Sequence, residues 1–270
     1  MIMKHIRYKE VSSTSVVMNE WLRSEAEQPL AHGTVLSAAF QGAGHGQMGN
    51  GWESEAGANA TFSIALRALH WPAEEHFAIT QAVSLALTDY LLVHDELFPQ
   101  EARPWLKIKW PNDLYVQDGK LSGILIESRL SGRFIQDCIC GVGLNVNQCV
   151  FLSDAPNPRS LRQVAGHCPA TCLNAFPLNE AAMVQLIEGL AQDILNSIDN
   201  LCSGHLSRQQ LQEQYLQRLY RYKSWHEYQD QDGRFEARIV DVLPDGRLQL
   251  EKKARGELKN YALKQVRFVI

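Results

Sequence analysis

Lys109-Trp110-Pro111-Asn112-Asp113 is followed closely by Lys120-Leu121-Ser122-Gly123-Ile124-Leu125-Ile126-Glu127. A carboxylate, an ammonium and an amide this close together suit a magnesium-bound phosphate lying beside a second anion. Magnesium takes carboxylate and substrate oxygens, and a lysine offsets the repulsion between two anions that must approach. Asp118-Gly119 between the two strings is a two-residue hairpin signal. With that turn Gln117 faces Lys120, and Asp113, Tyr115, Lys120 and Ser122 share one face. Asp113 and Lys120 would then stand about four residues, roughly 13 Å, apart and grip different ends of an extended ligand. A solvated face on an exposed hairpin has the same spacing.

Two glycine-bearing strings flank this one. In Gly42-Ala43-Gly44-His45-Gly46-Gln47-Met48-Gly49-Asn50-Gly51-Trp52, backbone N–H groups could approach an anion unobstructed. Gly44, Gly46 and Gly49 have dinucleotide-loop spacing, but that motif opens a helix; here the loop leads to Trp52 and a strand. A surface loop without function is the other reading. Gly141-Val142-Gly143-Leu144-Asn145-Val146-Asn147 offers amides for a base or sugar, or is an ordinary turn.

The elements that must hold these strings follow from hydrophobic spacing. Residues 15–26 read as a helix behind Ser12, Ser13 and Thr14 as caps, and 34–40 and 60–68 as strands. Residues 75–97 read as a long helix under a sheet, 106–110 as a strand stopped by Pro111, and 133–146 as another strand. Residues 178–199 and 207–222 read as amphipathic helices. From Lys223 onward, short strands alternate with Asp232-Gly233, Asp245-Gly246 and Arg255-Gly256.

The chain has 270 residues, 45% hydrophobic and 21% charged, with a net charge of −4. This is the composition of a globular protein large enough to bury its own core. The acidic balance disfavours a nucleic-acid binder. No apolar run reaches the roughly 20 residues of a membrane span, and Met1 to Lys9 precede no leader-like apolar stretch. Cys138, Cys140, Cys149, Cys168, Cys172 and Cys202 read as free thiols of a reducing cytoplasm. A zinc site on His167, Cys168 and Cys172 lacks a second ligand pair at finger spacing.

Taken together, the three strings resemble the biotin protein ligases. The stretches 109–115 and 120–127 look like that family's most specific signature. The order Ser13-Thr14, Gln41, glycine loop, Trp52, hairpin and Gly143-Leu144-Asn145 matches as well. The resemblance implies an α+β fold: a catalytic domain, 1–222, with a mixed sheet and packed helices, and a small SH3-like β-barrel, 223–270. It implies that biotin's carboxylate attacks the α-phosphorus of ATP to give biotinoyl-AMP, whose acyl group passes to a lysine of a biotin carboxyl carrier protein. Ser13, Thr14, Gln41, Gly44, His45 and Lys120 would meet biotin. Gly46, Met48, Trp52, Asn112, Asp113 and Asn145 would meet the nucleotide. Lys120 and Asp113 would be catalytic, with Asp113 holding Mg²⁺ through the phosphates.

Further expectations are a cytoplasmic monomer or homodimer and no membrane partner. With so few residues before Ser13, no DNA-binding module and no DNA partner are expected. A lipoate or octanoate ligase or transferase of the same superfamily, or a catalytically silent biotin-binding relative, is the alternative. The sequence departs from the resemblance in its loop. His45 and Met48 stand where the family carries arginines, removing permanent charge and forked donors. An active ligase with weaker hold on ATP or biotinoyl-AMP is the consequence expected.

Overall fold

The computed structural model describes residues 3–24, 30–152, 157–166 and 176–270. In chain order the elements are β1 (His5–Val11), α1 (Thr14–Arg23), β2 (Val35–Gln41), β3 (Ala60–Leu66), β4 (Trp71–Pro72), α2 (Phe77–Val93), β5 (Leu106–Lys109), β6 (Asp113–Val116), β7 (Gly119–Ser131) and β8 (Phe134–Leu144). They continue with α3 (Leu161–Ala165), α4 (Glu180–Cys202), α5 (Arg208–Gln217), β9 (His226–Asp230), β10 (Gly233–Val242), β11 (Leu248–Lys252), β12 (Glu257–Tyr261) and β13 (Arg267–Phe268). His167, Cys168 and Cys172 lie outside the described residues.

The first eight strands form one mixed sheet in the order β1-β2-β3-β8-β7-β6-β5, with β4 on β8. Only β1 and β2 pair in parallel, and α1 connects them. β1 was not anticipated. His-Ile-Arg-Tyr-Lys-Glu-Val is an edge strand with a largely exposed middle, so it shows no apolar run. Side chains alternate across the sheet. Val35, Phe62, Ile64, Cys140 and Val142 face α2, α4 and α5 in the main core. Leu36, Ala65 and Ile139 face Met18 and Leu22 of α1 on the other side. α2 meets the sheet, α4 and α5, so nearly its whole surface is buried. Among the described residues it is the one helix long and apolar enough to cross a membrane, and its burial within the fold accounts for that composition.

The helix expected over 207–222 stops at Gln217. The chain then clips onto β5: Ile108 N–H donates to Arg218 O at 2.9 Å and Tyr220 N–H to Ile108 O at 2.8 Å. The C-terminal strands form a five-stranded antiparallel sheet, ordered β12-β11-β10-β9-β13. This five-stranded antiparallel sheet is consistent with the small SH3-like unit expected, and among the described residues its pairing follows an open path with no closing pair. Trp110 Nε1 donates to Gly246 O at 2.8 Å, and one apolar cluster runs from the main sheet into Tyr228, Ala237 and Ile239.

Candidate active site

The candidate residues gather on the α1 face of the large sheet, beyond the start of that helix. Ser13 is the N-cap in extended conformation and its hydroxyl makes no capping bond. Thr14 N–H and Oγ1 both donate to Gln41 Oε1, at 2.8 and 3.2 Å. Thr14 Oγ1 and Ser15 Oγ each meet Ser63 Oγ, at 2.8 and 3.0 Å. This end of the groove is polar, uncharged and closely knit. Ser63 and Ser15 were missed from sequence, although Ser63 is a fully buried hydroxyl inside the apolar run of β3.

The middle of the groove is made of absent side chains. Gly123 of β7 and Gly143 of β8 are direct cross-strand partners. A Cβ on Gly143 would collide with the Trp52 ring, and one on Gly123 would come within 3.1 Å of it. Two residues along β8, a Cβ on Gly141 would lie 2.6 Å from Ser15 Oγ. Trp52 thus lies flat on two facing glycines. It is delivered by residues 44–52, which fold back on themselves: Trp52 N–H donates to Gly44 O at 2.9 Å, Gly46 N–H to Asn50 O at 2.7 Å, and His45 bridges Gly51. The loop leads on to β3 and not to a helix, so the dinucleotide reading fails.

The charged end differs from the sequence expectation. Lys120 Nζ and Asp113 Oδ1 form an ion pair at 2.8 Å, not two grips roughly 13 Å apart. Two local features cause this. The hairpin turns on Gln117 and Asp118, with Gln117 in the left-handed region at φ 54°, so Tyr115 opposes Lys120. A register shift at Leu114/Tyr115 then sets Asp113 opposite Gly123. The lysine stem spans the remaining diagonal. The same shift takes Ser122 off this face: it is fully buried and donates to Gly143 O at 2.7 Å, while Gly123 takes its place beside Lys120.

Asn112 is buried, and its amide Nδ2 donates to Ile124 O, which fixes the entry to β6. Asn145 Nδ2 donates to Arg159 O at 3.1 Å and Lys120 O at 3.3 Å. Its Oδ1, like Trp52 Nε1, is buried with no partner among the described residues. A buried acceptor and a buried donor without partners are costly unless a ligand meets them. Among the described residues no group of three His, Cys, Asp or Glu could hold a metal alone. Asp113 is the site's single carboxylate and fits a Mg²⁺ that arrives on substrate phosphates.

Residues 9–145 match the family model described as the biotin/lipoate A/B protein ligase family. The chain belongs to that family. Among curated relatives it is 36% identical over 116 residues to the biotin–[acetyl-CoA-carboxylase] ligase of Mycobacterium tuberculosis, covering 43% of this chain and 40% of that one. It is 33% identical over 117 residues to the bifunctional ligase/repressor BirA of Escherichia coli, covering 43% and 34%. The matched stretch thus spans less than half the length of either relative. The fold extends further. The biotin protein ligase of Aquifex aeolicus in complex with biotin and ATP superposes with a TM-score of 0.72 at 20% identity, over 99% of this chain and 100% of that one. The Leishmania major enzyme in complex with biotinyl-5-AMP gives 0.59 at 21%, over 96% and 98%. The biotin protein ligase fold, with its mixed sheet, helices and C-terminal antiparallel sheet, is therefore the fold of this family member.

Proposed function

We propose that this protein is an ATP-dependent biotin ligase. It would activate biotin as biotinoyl-AMP and pass it to a lysine of a biotin carboxyl carrier protein or domain. The observation that carries this reading is the order of chemistry along the groove. Neutral hydroxyls and an amide at Ser13, Thr14, Gln41 and Ser63 come first, then Trp52 over a glycine floor, then Lys120 with Asp113. The row runs across five strands, β2, β3, β8, β7 and β6, roughly 19 Å. A ligand with a neutral hydrogen-bonding head, an apolar chain and a carboxylate fits that order, and biotin's ureido ring, valeryl chain and carboxylate are such a ligand. Lipoate and octanoate have the chain and the carboxylate but an apolar head. They would meet the hydroxyl cluster with hydrocarbon and gain none of the hydrogen bonds that a ureido ring makes there, each worth about 0.5–1.5 kcal/mol.

In the first step a biotin carboxylate oxygen attacks the α-phosphorus, and the bond from that phosphorus to the bridging oxygen breaks. Pyrophosphate leaves with the electron pair. Lys120 holds the carboxylate and an α-phosphate oxygen together and stabilises the charge of the transition state. Asp113 fixes the Lys120 ammonium in place and would hold Mg²⁺, which when bound neutralises the phosphates. Trp52 shields the acyl phosphate from water, and Asn145 Oδ1 accepts from the adenine amino group. In the second step the carrier lysine, as the free amine, attacks the acyl carbon and AMP leaves.

The test is mass spectrometry of the full chain incubated with ATP, Mg²⁺, biotin and a carboxyl carrier domain. The expected product is one biotin on one carrier lysine, with biotinoyl-AMP detected when the carrier is omitted. Neither product at saturating substrates would refute the proposal. The biotinoyl-AMP without carrier modification would show adenylation with a different acceptor.

A further inference from the structure

Lys109 has a surrounding that neither ion pairing nor sheet packing explains. It is the cross-strand partner of Asp113 on β5, the last strand of the row, yet it forms no ion pair among the described residues. Its Nζ lies 3.3 Å from Tyr115 Oη, 4.7 Å from the Tyr115 ring centroid and 5.1 Å from the ring centroid of Phe268. Phe268 belongs to β13, in the other sheet, and stacks at 6.3 Å on Tyr220, itself 5.9 Å from Tyr115. Two aromatic rings, Tyr115 and Phe268, thus lie against a half-buried ammonium, and Tyr220 backs both of them. Lys120 and Arg221 lie within electrostatic range of it, and Asp113 is the carboxylate among them. Arg221 adds a buried Nε without a partner. Three cations, Lys109, Lys120 and Arg221, stand against two carboxylates, Asp113 and, hydrogen-bonded to Tyr220, Asp118, which leaves an excess of positive charge at the edge of the groove. Burial lowers the Lys109 pKa; Asp113 opposes this, while Lys120 and Arg221 add to it. A polyanion placed here would relieve the excess.

We infer that Lys109 contacts the leaving phosphates of the nucleotide, and that Phe268 of the C-terminal strand is a positioning residue for it. This rests on the adenylation reading given above. Lys120, Asp113 and Lys109 sit on three successive strands, β7, β6 and β5, about 4.8 Å apart. With the reacting carboxylate and α-phosphate at Lys120, the β- and γ-phosphates extend over Asp113 toward Lys109. As the bond to the α-phosphorus breaks, the electron pair passes to pyrophosphate, and Lys109 stands where that charge gathers. Aromatic rings hold an ammonium by cation–π attraction while leaving its N–H donors free for the anion. The C-terminal sheet thereby takes part in the first step through one ring.

The experiment is calorimetric titration of inorganic pyrophosphate with Mg²⁺ into the full chain without biotin, alongside the KM for ATP and the Kd for biotin. Lys109→Met is expected to weaken pyrophosphate binding and raise the KM for ATP at least about tenfold, with biotin Kd within about twofold of wild type; Lys109→Arg recovers most of the loss. Phe268→Leu is expected to weaken pyrophosphate by about threefold to tenfold, and Phe268→Tyr to bind like wild type. Unchanged pyrophosphate binding in Lys109→Met, or no pyrophosphate binding by wild type, overturns the inference. So does a parallel loss of biotin affinity and thermal stability, which marks a structural role. Phe268→Leu behaving as wild type overturns the positioning role. Because pyrophosphate is read without biotin, a wild type that binds it through Lys109 but never forms biotinoyl-AMP would refute the proposed function and leave this subsite standing.

Discussion

The two faces of the large sheet are built from the same strands and do opposite things. Toward the helix layer β8 presents Cys138, Cys140, Val142 and Leu144, all buried in the main core. Toward α1 it presents Ile139, then Gly141 and Gly143, with Asn145 just beyond the strand. One face is filled to the density that holds the fold together. The other is emptied at the positions where Ser15 and Trp52 come down on it. Because side chains alternate with a period of two, Gly141 and Gly143 point only to this face, so a single glycine-to-valine change alters the groove and spares the core. The site is thus a matter of what is left out of one face, and its polar groups stand at the rim of that gap.

The comparison breaks first at Lys120. Lys120→Ala is expected to lower kcat for biotin-dependent adenylation by about 10²–10³-fold while the melting temperature stays near wild type. Steady-state kinetics with normal turnover in the variant would remove Lys120 from the chemistry.

A paired substitution sharpens the contrast between faces. Gly143→Val forces a side chain into the Trp52 ring and is expected to weaken biotin by up to about a hundredfold with a modest change in stability. Leu144→Ala, the next residue on the filled face, is expected to cost about 2–5 kcal/mol of stability and to leave the Kd for biotin unchanged. Thermal melts and calorimetry on both variants would show whether the two effects separate or run together. If they run together, the division between faces fails.

At the neutral end, Thr14→Val removes the hydroxyl that joins Gln41 to Ser63. The expected loss is about tenfold in biotin affinity, with a smaller loss for lipoate. Equal losses for both ligands would mean that the hydroxyl cluster does not read the head group.

The smallest effect is expected at the loop. His45→Arg with Met48→Arg supplies the charges that the resembled signature carries. This should lower the KM for ATP and slow release of biotinoyl-AMP by about threefold to tenfold. Unchanged off-rates would show that the loop acts through its backbone.

The strings 109–115 and 120–127 disclosed most of the charged end, because residue type and local alternation place them on one hairpin. The turn itself was misread by one residue. Asp-Gly is the favoured pair for a two-residue hairpin, but Gln117 takes the positive φ and Gly119 is needed elsewhere: a Cβ there would lie 2.9 Å from Arg159. That contact joins positions forty residues apart, and local spacing cannot show it. Ser63 and the role of Gly123 stayed hidden for the same reason. Each acquires its meaning only when β3, β8 and β7 are laid side by side. Leu219 and Tyr220 leave their helix because β5 offers an unpaired edge, a tertiary pull that helical periodicity does not register.

The most direct measurement is exchange of labelled pyrophosphate into ATP by the 270-residue chain, with biotin, lipoate or octanoate supplied in turn. The groove as built predicts exchange that depends on biotin, with lipoate and octanoate near background. Exchange supported by lipoate or octanoate in preference to biotin, or by none of the three, would contradict it.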